Sequence, residues 1–348
     1  MLDHRVWFPG RGSRRFGHFA LIGLAVTLLL LTNSLLAGAE KRPPAPAPEH
    51  VILFVLEGVG QEAIKAGPMP VLGRFVKEGA VTWSAAGVTP TLRLPSMASL
   101  ITGLPVEKHG VTWDSFDFAR GYPRPPTVFD YLDLSGGKDS AIFFMDETLY
   151  QLAKPEPYTD YQICGALRPE CSTDTILRYI RDYFRKATSG HGYGHAILSL
   201  PHFLVIHLPQ PGRAGEASGG NSPAYKEALR SVDVVMGSVL DIYKELGLLG
   251  RTTVIVTSLT GGARPAGKED LTKPAINGAA TLRLPWIAWG AGIKPGHAIK
   301  QPVSIIDTGA TVLRTLNLET HTEWDSRPVE EIFTAPRTAA VPAGNHAY

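Results

Sequence analysis

Short apolar runs rich in β-branched residues alternate along the chain with segments of helical periodicity. The runs that predict buried strands cover residues 51–56, 140–144, 203–208, 252–257 and 284–289. Strands that alternate with helices are typical of a mostly parallel sheet covered by helices on both faces. The pattern therefore predicts an α/β fold with a mostly parallel central sheet.

The clearest helical pattern follows Ser222-Pro223, an N-cap residue with proline at the first helical position. Apolar residues then recur at helical spacing on one face, at Tyr225, Leu229, Val232, Met236, Val239 and Tyr243. The pattern ends at Gly247. Because only one face is apolar, we expect this helix to cover the sheet.

The N-terminus has the features of an export signal. Arg11, Arg14 and Arg15 precede an apolar run over residues 19–31, and the small residues Ala37-Gly38-Ala39 follow it. This order predicts a signal peptide over residues 1–39 that is cleaved after Ala39, which makes the protein periplasmic or secreted. An uncleaved segment would be about long enough to span a bilayer, so anchoring in the inner membrane is the alternative.

The rest of the chain divides by composition. Residues 40–48 form a Pro/Ala-rich linker, residues 49–333 carry the periodic patterns of one folded domain, and residues 334–348 form an Ala/Pro-rich tail that we expect to be disordered. We expect any catalytic or binding residues to lie in the domain over residues 49–333.

Composition excludes several classes of protein. The chain has 348 residues, 44% of them hydrophobic and 19% charged, which is typical of a folded globular protein. Its 34 basic and 32 acidic residues leave a net charge of +2. Such a balance provides no broad positive field, so we expect no nucleic-acid partner, and a membrane partner only if the signal segment stays uncleaved.

Two cysteines occur, Cys164 and Cys171. An exported chain meets an oxidising compartment, so a local disulfide between them is predicted. Two free buried thiols are the alternative.

In parallel sheets, ligands bind outside the carboxyl ends of the strands. The strand exits of interest are Glu57-Gly58, Pro209-Gln210 and Leu259-Thr260-Gly261-Gly262. Residues 90–110 add the pattern P-T-x-x-x-P-S-x-x-S-L-x-T-G-x-x-x-x-x-H-G, a loop that enters a helix.

With these motifs in this order, the sequence resembles the alkaline phosphatase superfamily, and most closely its type I phosphodiesterase/nucleotide pyrophosphatase branch, to which sulfatases are related. The resemblance implies an alkaline phosphatase-like fold and hydrolysis of phosphate esters. It also implies two divalent metals, usually zinc, held by three Asp and three His, with a Thr or Ser nucleophile. Two metals would neutralise the anionic ester and acidify the attacking hydroxyl.

The residues at the positions that the resemblance assigns depart from this pattern. Arg93 stands at the nucleophile position, and the metal-ligand positions hold Glu57, Gln210, Glu216, Leu259 and Thr260. The last His falls in residues 263–270, which contain none. Leucine has no donor atom, Thr and Gln are poor zinc ligands, and a guanidinium has no lone pair. We therefore expect these metal positions to be vacant and no cofactor to be bound.

Charge suggests what replaces the metals. We expect Glu57 and Glu216 to face Arg93, and Arg93 to pair with Glu57 in place of part of the metal charge. A solvated Arg93 on a loop is the alternative reading.

The sequence thus predicts an exported pseudo-hydrolase that binds a phosphate ester, nucleotide, glycan or another exported protein. The alternative is an active hydrolase of phosphodiesters, or of related phosphate or sulfate esters, with an atypical metal site. Ser96 as a substitute nucleophile, and His191 with His195 as a metal pair, are weaker alternatives.

Overall fold

The computed structural model describes residues 47–135, 137–154, 159–164, 172–189, 199–262 and 283–336, and the centre of these ranges is an eight-stranded sheet. The strands are β1 His50–Leu56, β2 Ala80–Ala86, β3 Ser140–Phe144, β4 Thr159–Ile163, β5 Phe203–Leu208, β6 Thr252–Ser258, β7 Arg283–Gly290 and β8 His297–Ala298. Their order across the sheet is β4-β3-β5-β1-β6-β7-β2-β8.

The sheet is mostly parallel, as the sequence predicts. Strands β4, β3, β5, β1 and β6 run parallel to one another, whereas β7 is antiparallel to both β6 and β2. The predicted α/β fold with a mostly parallel sheet is confirmed. Strands β2, β4 and β8 lie outside the predicted runs.

Helices lie along both faces of the sheet. They are α1 Gln61–Ala66, α2 Pro70–Glu78, α3 Arg93–Thr102, α4 Val106–His109, α5 Val128–Leu134, α6 Thr173–Ser189, α7 Gln210–Ser218, α8 Pro223–Glu245 and α9 Asp307–Thr315. The predicted long helix is α8, and the Ser222 hydroxyl caps it by accepting a hydrogen bond from the Tyr225 N–H. Short 3₁₀ turns occupy Phe118–Arg120, Glu147–Leu152, Leu249–Arg251 and Glu330–Ile332.

Strand β1 shows why both faces are covered. All seven of its residues are buried, and alternate side chains enter two separate cores. Val51, Leu53 and Val55 face the core with α3, α5 and α9, whereas Ile52, Phe54 and Leu56 face the core with α2, α6 and α8. A strand buried on both faces reads as one continuous apolar run rather than as an alternating pattern.

Several sequence predictions lie outside the described residues. These are the signal peptide over 1–39, most of the 40–48 linker, most of the 334–348 tail, and the pair His191 and His195. Cys171 also lies outside them, while Cys164 is buried at the end of β4, so the disulfide stays a prediction. Within the ranges that the structure describes, we find no helix that combines the length and apolar character needed to cross a membrane.

Candidate active-site region

The carboxyl ends of the parallel strands bring a group of charged side chains together. Glu57 directly follows β1, Asp146 lies two residues beyond β3, and His207 is the penultimate residue of β5. Arg93 is the first residue of α3, which follows β2 in the chain. Since β3, β5 and β1 are neighbours in the sheet, their exits meet at one edge.

Arg93 and Glu57 form a two-pronged ion pair. The Arg93 Nε donates to Glu57 Oε1 at 2.6 Å, and Arg93 Nη2 donates to Oε2 at 3.0 Å. Glu57 is only 6% exposed and the Arg93 side chain 20% exposed, so the pair is largely removed from water. The planar guanidinium matches the carboxylate fork, which makes this geometry stronger than a single contact. The expected pairing of Arg93 with Glu57 is confirmed.

His207 holds the same carboxylate from the neighbouring strand. Its Nε2 lies 2.7 Å from Glu57 Oε1, and its side chain is completely buried. An ionised carboxylate can only accept, so Nε2 is the donor. The buried Nδ1 has no hydrogen-bond partner within the described ranges, and a proton there would be an unsatisfied buried donor. The surroundings therefore favour the tautomer with its proton on Nε2.

Asp146 is the second carboxylate beside Arg93. Arg93 Nη1 lies 3.1 Å from Asp146 Oδ2, which also accepts from Arg213 Nη2. The other oxygen of Asp146 accepts from the N–H and the hydroxyl of Thr148. Glu57, Arg93, Asp146 and Arg213 thus form a row of alternating charges, called the ion cluster below. Its formal charge is zero.

The ion cluster corrects one expectation from the sequence. Glu216 does not face Arg93. Its side chain is exposed on α7, and it forms no ion pair with the described residues of the site. Asp146 takes the place expected for Glu216, because β3 carries it to the same edge of the sheet as Glu57.

The surroundings lower the pKa of both carboxylates in the ion cluster. Burial by itself would raise the pKa of Glu57, but His207 and the Arg93 guanidinium lower it to about 2. Burial likewise opposes ionisation of Asp146, and the charge of Arg93 with the Thr148 hydrogen bonds brings its pKa below the usual value. Both carboxylates are therefore ionised at neutral pH, and the cluster is held as paired charges.

Asp114 lies beside the cluster and differs from these two carboxylates. Its Oδ1 accepts from the Leu94 N–H at 2.7 Å, at the first turn of α3. Burial raises the pKa of Asp114, although this hydrogen bond and the charge of Arg93 oppose the rise. Asp114 thus positions the start of the helix that carries Arg93.

The remaining predicted metal positions serve packing or backbone contacts. Leu259 is buried, and its N–H donates to the Leu56 carbonyl at 2.8 Å. The Thr260 hydroxyl accepts from the Gly58 N–H at 2.7 Å, which fixes the turn after Glu57. The amide nitrogen of Gln210 lies 2.9 Å from Met145 Sδ. Residues 263–270, where the last histidine was sought, lie outside the described residues.

The backbone of α7 lies against the Glu57 turn. A β-carbon built on Gly212 would be 3.0 Å from the β-carbon of Glu57, and one built on Gly58 would be 2.5 Å from the Gly212 α-carbon. Gly58 has φ +67°, a left-handed conformation that favours glycine. A longer side chain at position 212 would have to displace Glu57. Helix α7 therefore meets the site with its backbone.

These residues do not fit the two zinc ions that the resemblance implies. Both oxygens of Glu57 are already bound by Arg93, one of them also by His207, and Leu259 offers no donor. In the part of the chain that the structure describes, no group of three or more His, Cys, Asp or Glu side chains is arranged to hold a metal. The nucleophile position is occupied by a guanidinium engaged with two carboxylates.

Sequence reasoning missed Asp146, His207, Arg213 and Gly212. Asp146 had a usable signal, because it lies just past the predicted strand 140–144, at a strand exit. His207 had a weaker signal, because it sits inside an apolar run that reads as ordinary core.

Comparison with known proteins agrees with the fold. The human bis(5'-adenosyl)-triphosphatase ENPP4 is 22% identical over 251 residues, which are 68% of this chain and 52% of that protein. Mouse steryl-sulfatase is 25% identical over 275 residues, covering 75% of this chain and 38% of the sulfatase. The chain thus spans about half or less of the length of these curated relatives.

Solved structures of similar fold share less sequence identity with this chain than these curated relatives do. Murine ectonucleotide pyrophosphatase/phosphodiesterase 5, an inactive variant in complex with AMP, superposes with a TM-score of 0.61 at 15% identity, covering 82% of this chain and all of that one. Ps i-CgsB in complex with k-i-k-neocarrahexaose gives a TM-score of 0.60 at 17% identity, with 81% of this chain and 75% of that one covered. These matches establish a shared fold.

Residues 51–265 match the family model described as type I phosphodiesterase / nucleotide pyrophosphatase. The match spans well over half of the chain and includes Glu57, Arg93 and the exits of β5 and β6. The chain belongs to the type I phosphodiesterase/nucleotide pyrophosphatase family.

Proposed function

We propose that this chain is an exported phosphodiesterase-like protein that has lost two-metal catalysis and acts as a binding or assembly module. The observation that carries the proposal is the two-pronged pair of Arg93 with Glu57. It joins the residue at the nucleophile position to the residue at a metal-ligand position, so neither is available for its catalytic role.

Charge explains why this arrangement is unsuited to diester hydrolysis. Attack on a phosphodiester requires a nucleophile with a lone pair and positive charge at the non-bridging oxygens. Arg93 stays protonated and has no lone pair, and its positive charge is cancelled by Glu57 and Asp146. An ester that approaches the ion cluster meets neither an attacking atom nor an excess of cation.

The family suggests the kind of ligand. One structural neighbour is described in complex with AMP, and another in complex with k-i-k-neocarrahexaose. A phosphate ester, a nucleotide or a glycan is therefore the ligand class that we propose, with another exported protein as the alternative partner. Export to the periplasm or beyond, after cleavage following Ala39, is part of the same proposal and rests on the N-terminal sequence.

The decisive experiment combines turnover with metal content. The mature full chain is assayed with bis(4-nitrophenyl) phosphate, with and without added zinc or manganese, and its bound metal is measured after desalting. We expect no turnover in any condition and no stoichiometric metal. Turnover that a chelator abolishes, together with bound zinc or manganese, would establish the second candidate, an active hydrolase with an atypical metal site.

Two further measurements separate the remaining parts of the proposal. Replacing Arg93 by threonine restores a hydroxyl at the nucleophile position but restores no metal ligand, so we expect this variant to stay inactive. Activity in the Arg93→Thr variant alone would mean that the guanidinium merely blocks a working site. The intact mass of the mature protein tests cleavage after Ala39, and a retained N-terminal segment would favour a membrane-anchored form.

A further inference from the structure

A second feature at the carboxyl edge of the sheet is a cleft of about 850 Å³ that contains none of the ion-cluster residues. It lies among α1, the middle of β2, the start of α8, the exit of β6 and the first residue of β7. Pockets of roughly 300–1,000 Å³ accept small organic ligands. The cleft is therefore large enough for a nucleotide or a short oligosaccharide.

Charge in the cleft favours an anion. Lys226 and Arg283 both line it, and both side chains are exposed. Neither forms an ion pair with any residue that the structure describes. Glu62 is the carboxylate among the described lining residues. Two cations against one carboxylate give the described lining of the cleft a positive excess, in contrast to the neutral ion cluster.

The lining of the cleft combines an aromatic residue with residues that can form hydrogen bonds. Trp83 is partly buried in β2, and Lys65 Nζ lies 5.3 Å from the centre of its ring. Gln61 and Asn221 bring side-chain amides to the same lining. Lys65 lies over one face of the indole, and the indole ring with the amide groups suits a ligand ring that carries hydroxyls, such as a sugar or a nucleoside.

The floor of the cleft is formed by residues that contact one another directly. Tyr225 is buried, and its hydroxyl donates to the Gly58 carbonyl at 2.7 Å. A β-carbon on Gly60 would lie 2.4 Å from the Gly261 carbonyl oxygen, so the exits of β1 and β6 are in backbone contact. A preformed floor lowers the cost of ordering the site on binding.

We propose that this cleft binds a small ring-bearing phosphate or sulfate ester, with Lys226 and Arg283 at the anion and Trp83 against the ring. The inference rests on the proposed binding role and gives it a location and a ligand class. Sugar esters and nucleotides share this chemistry, so the experiment includes one of each.

Isothermal titration calorimetry of the mature full chain tests the proposal with AMP, with a chondroitin 6-sulfate disaccharide and with inorganic phosphate. We expect at least one of the two esters to bind more tightly than phosphate alone. Lys226→Glu and Arg283→Glu should each weaken that ester about tenfold, the change expected for one lost charge-assisted contact. Trp83→Phe, which keeps an aromatic ring, should weaken it less.

The matched control is Lys244→Glu, which reverses an exposed charge in the last turn of the same helix, far along α8 from Lys226. It should leave the affinity unchanged. Arg213→Gln reports on the ion cluster and should also leave it unchanged. The proposal is overturned if neither ester binds, or if Arg213→Gln weakens binding while the two cleft variants do not.

These outcomes are distinct from failure of the proposed function. The cleft proposal is tested by the affinity for the esters, whereas the pseudo-hydrolase proposal is tested by metal content and by turnover of bis(4-nitrophenyl) phosphate. A chain that hydrolyses the diester and still binds AMP through Lys226 would refute the pseudo-hydrolase proposal and keep the cleft proposal.

Discussion

Replacing Arg93 by alanine should destabilise the fold strongly, because it leaves Glu57 buried without its main counter-charge. Glu57 is 6% exposed, and among the described residues its carboxylate would keep only His207 as a side-chain hydrogen-bond partner. Asp146 would lose one of its two arginines. Removing one partner of a buried ion pair costs about 3–5 kcal/mol.

The pKa of Glu57 gives a second route to the same magnitude. It falls from an ordinary value of 4.5 to about 2 in the folded chain. At ~1.4 kcal/mol per tenfold change, this difference corresponds to about 3 kcal/mol of stability at neutral pH. His207 contributes the larger part of that amount and Arg93 the smaller part. Arg93→Ala also leaves a buried carboxylate without its arginine and removes one arginine from Asp146, so about 3 kcal/mol is the expected cost of this variant.

Urea unfolding of the mature chain, followed by far-UV circular dichroism, measures this change in the free energy of unfolding. The matched control is Arg120→Ala, which removes an exposed pair with Asp117 and should cost less than about 1 kcal/mol. Arg93→Lys keeps the charge but not the fork and should fall between the two. Adding Glu57→Gln to Arg93→Ala should recover part of the loss, since the orphaned carboxylate is gone.

If Arg93→Ala costs no more than Arg120→Ala, the ion cluster does not stabilise the fold and the reasoning fails. The same conclusion follows if Glu57→Gln adds a full further loss to Arg93→Ala instead of relieving it.

Three other predictions concern acid stability, backbone contact and helix capping. The folded pKa of Glu57 lies below its unfolded value, so its contribution to the free energy of unfolding is fully present above about pH 4.5 and is lost as the pH falls towards about 2. Urea unfolding at a series of pH values should show this loss in the unchanged chain and a smaller loss in Glu57→Gln. Gly212→Ala should cost about 1–3 kcal/mol in the same assay, because its β-carbon would press on Glu57, whereas Gly250→Ala, with open space around it, serves as the control. Ser222→Ala should cost about 1 kcal/mol, and Ser222→Asp, which keeps a capping oxygen, should not; equal losses in both would contradict the capping role.

The sequence was most informative where local pattern and chemistry coincide. Strand β1 and helix α8 follow directly from an apolar run and from a capped amphipathic pattern. The Arg93–Glu57 pair followed from the order of motifs along the chain. Strand β2 escaped detection because its mix of Thr, Ser, Ala and Trp lacks a clear apolar run, and β8 because it has two residues.

The rest of the site depends on distances that sequence spacing does not encode. Glu216 was expected near Arg93, but the backbone contact of Gly212 with the Glu57 turn sets the position of α7 and leaves Glu216 exposed. Asp146 reaches the cluster only because β3 lies next to β5 in the sheet. Neighbour relations between strands, rather than order along the chain, decide which carboxylate meets Arg93.

The ion cluster also explains how two carboxylates can lie buried side by side at the strand exits with arginine side chains as their counter-charges. Carboxylates that are buried together repel one another unless a cation lies between them. Arg93 lies between Glu57 and Asp146, and Arg213 balances the second carboxylate from the outer side. The carboxylates at the strand exits are thereby balanced by the charges of two arginines.

The most direct test of this account is the amount of zinc that the mature chain retains. The protein is equilibrated with excess zinc, desalted, and analysed by inductively coupled plasma mass spectrometry, with its melting temperature recorded before and after treatment with EDTA. The account predicts no stoichiometric zinc and an unchanged melting temperature. Two zinc ions retained per chain, with a melting temperature that falls on chelation, would contradict it.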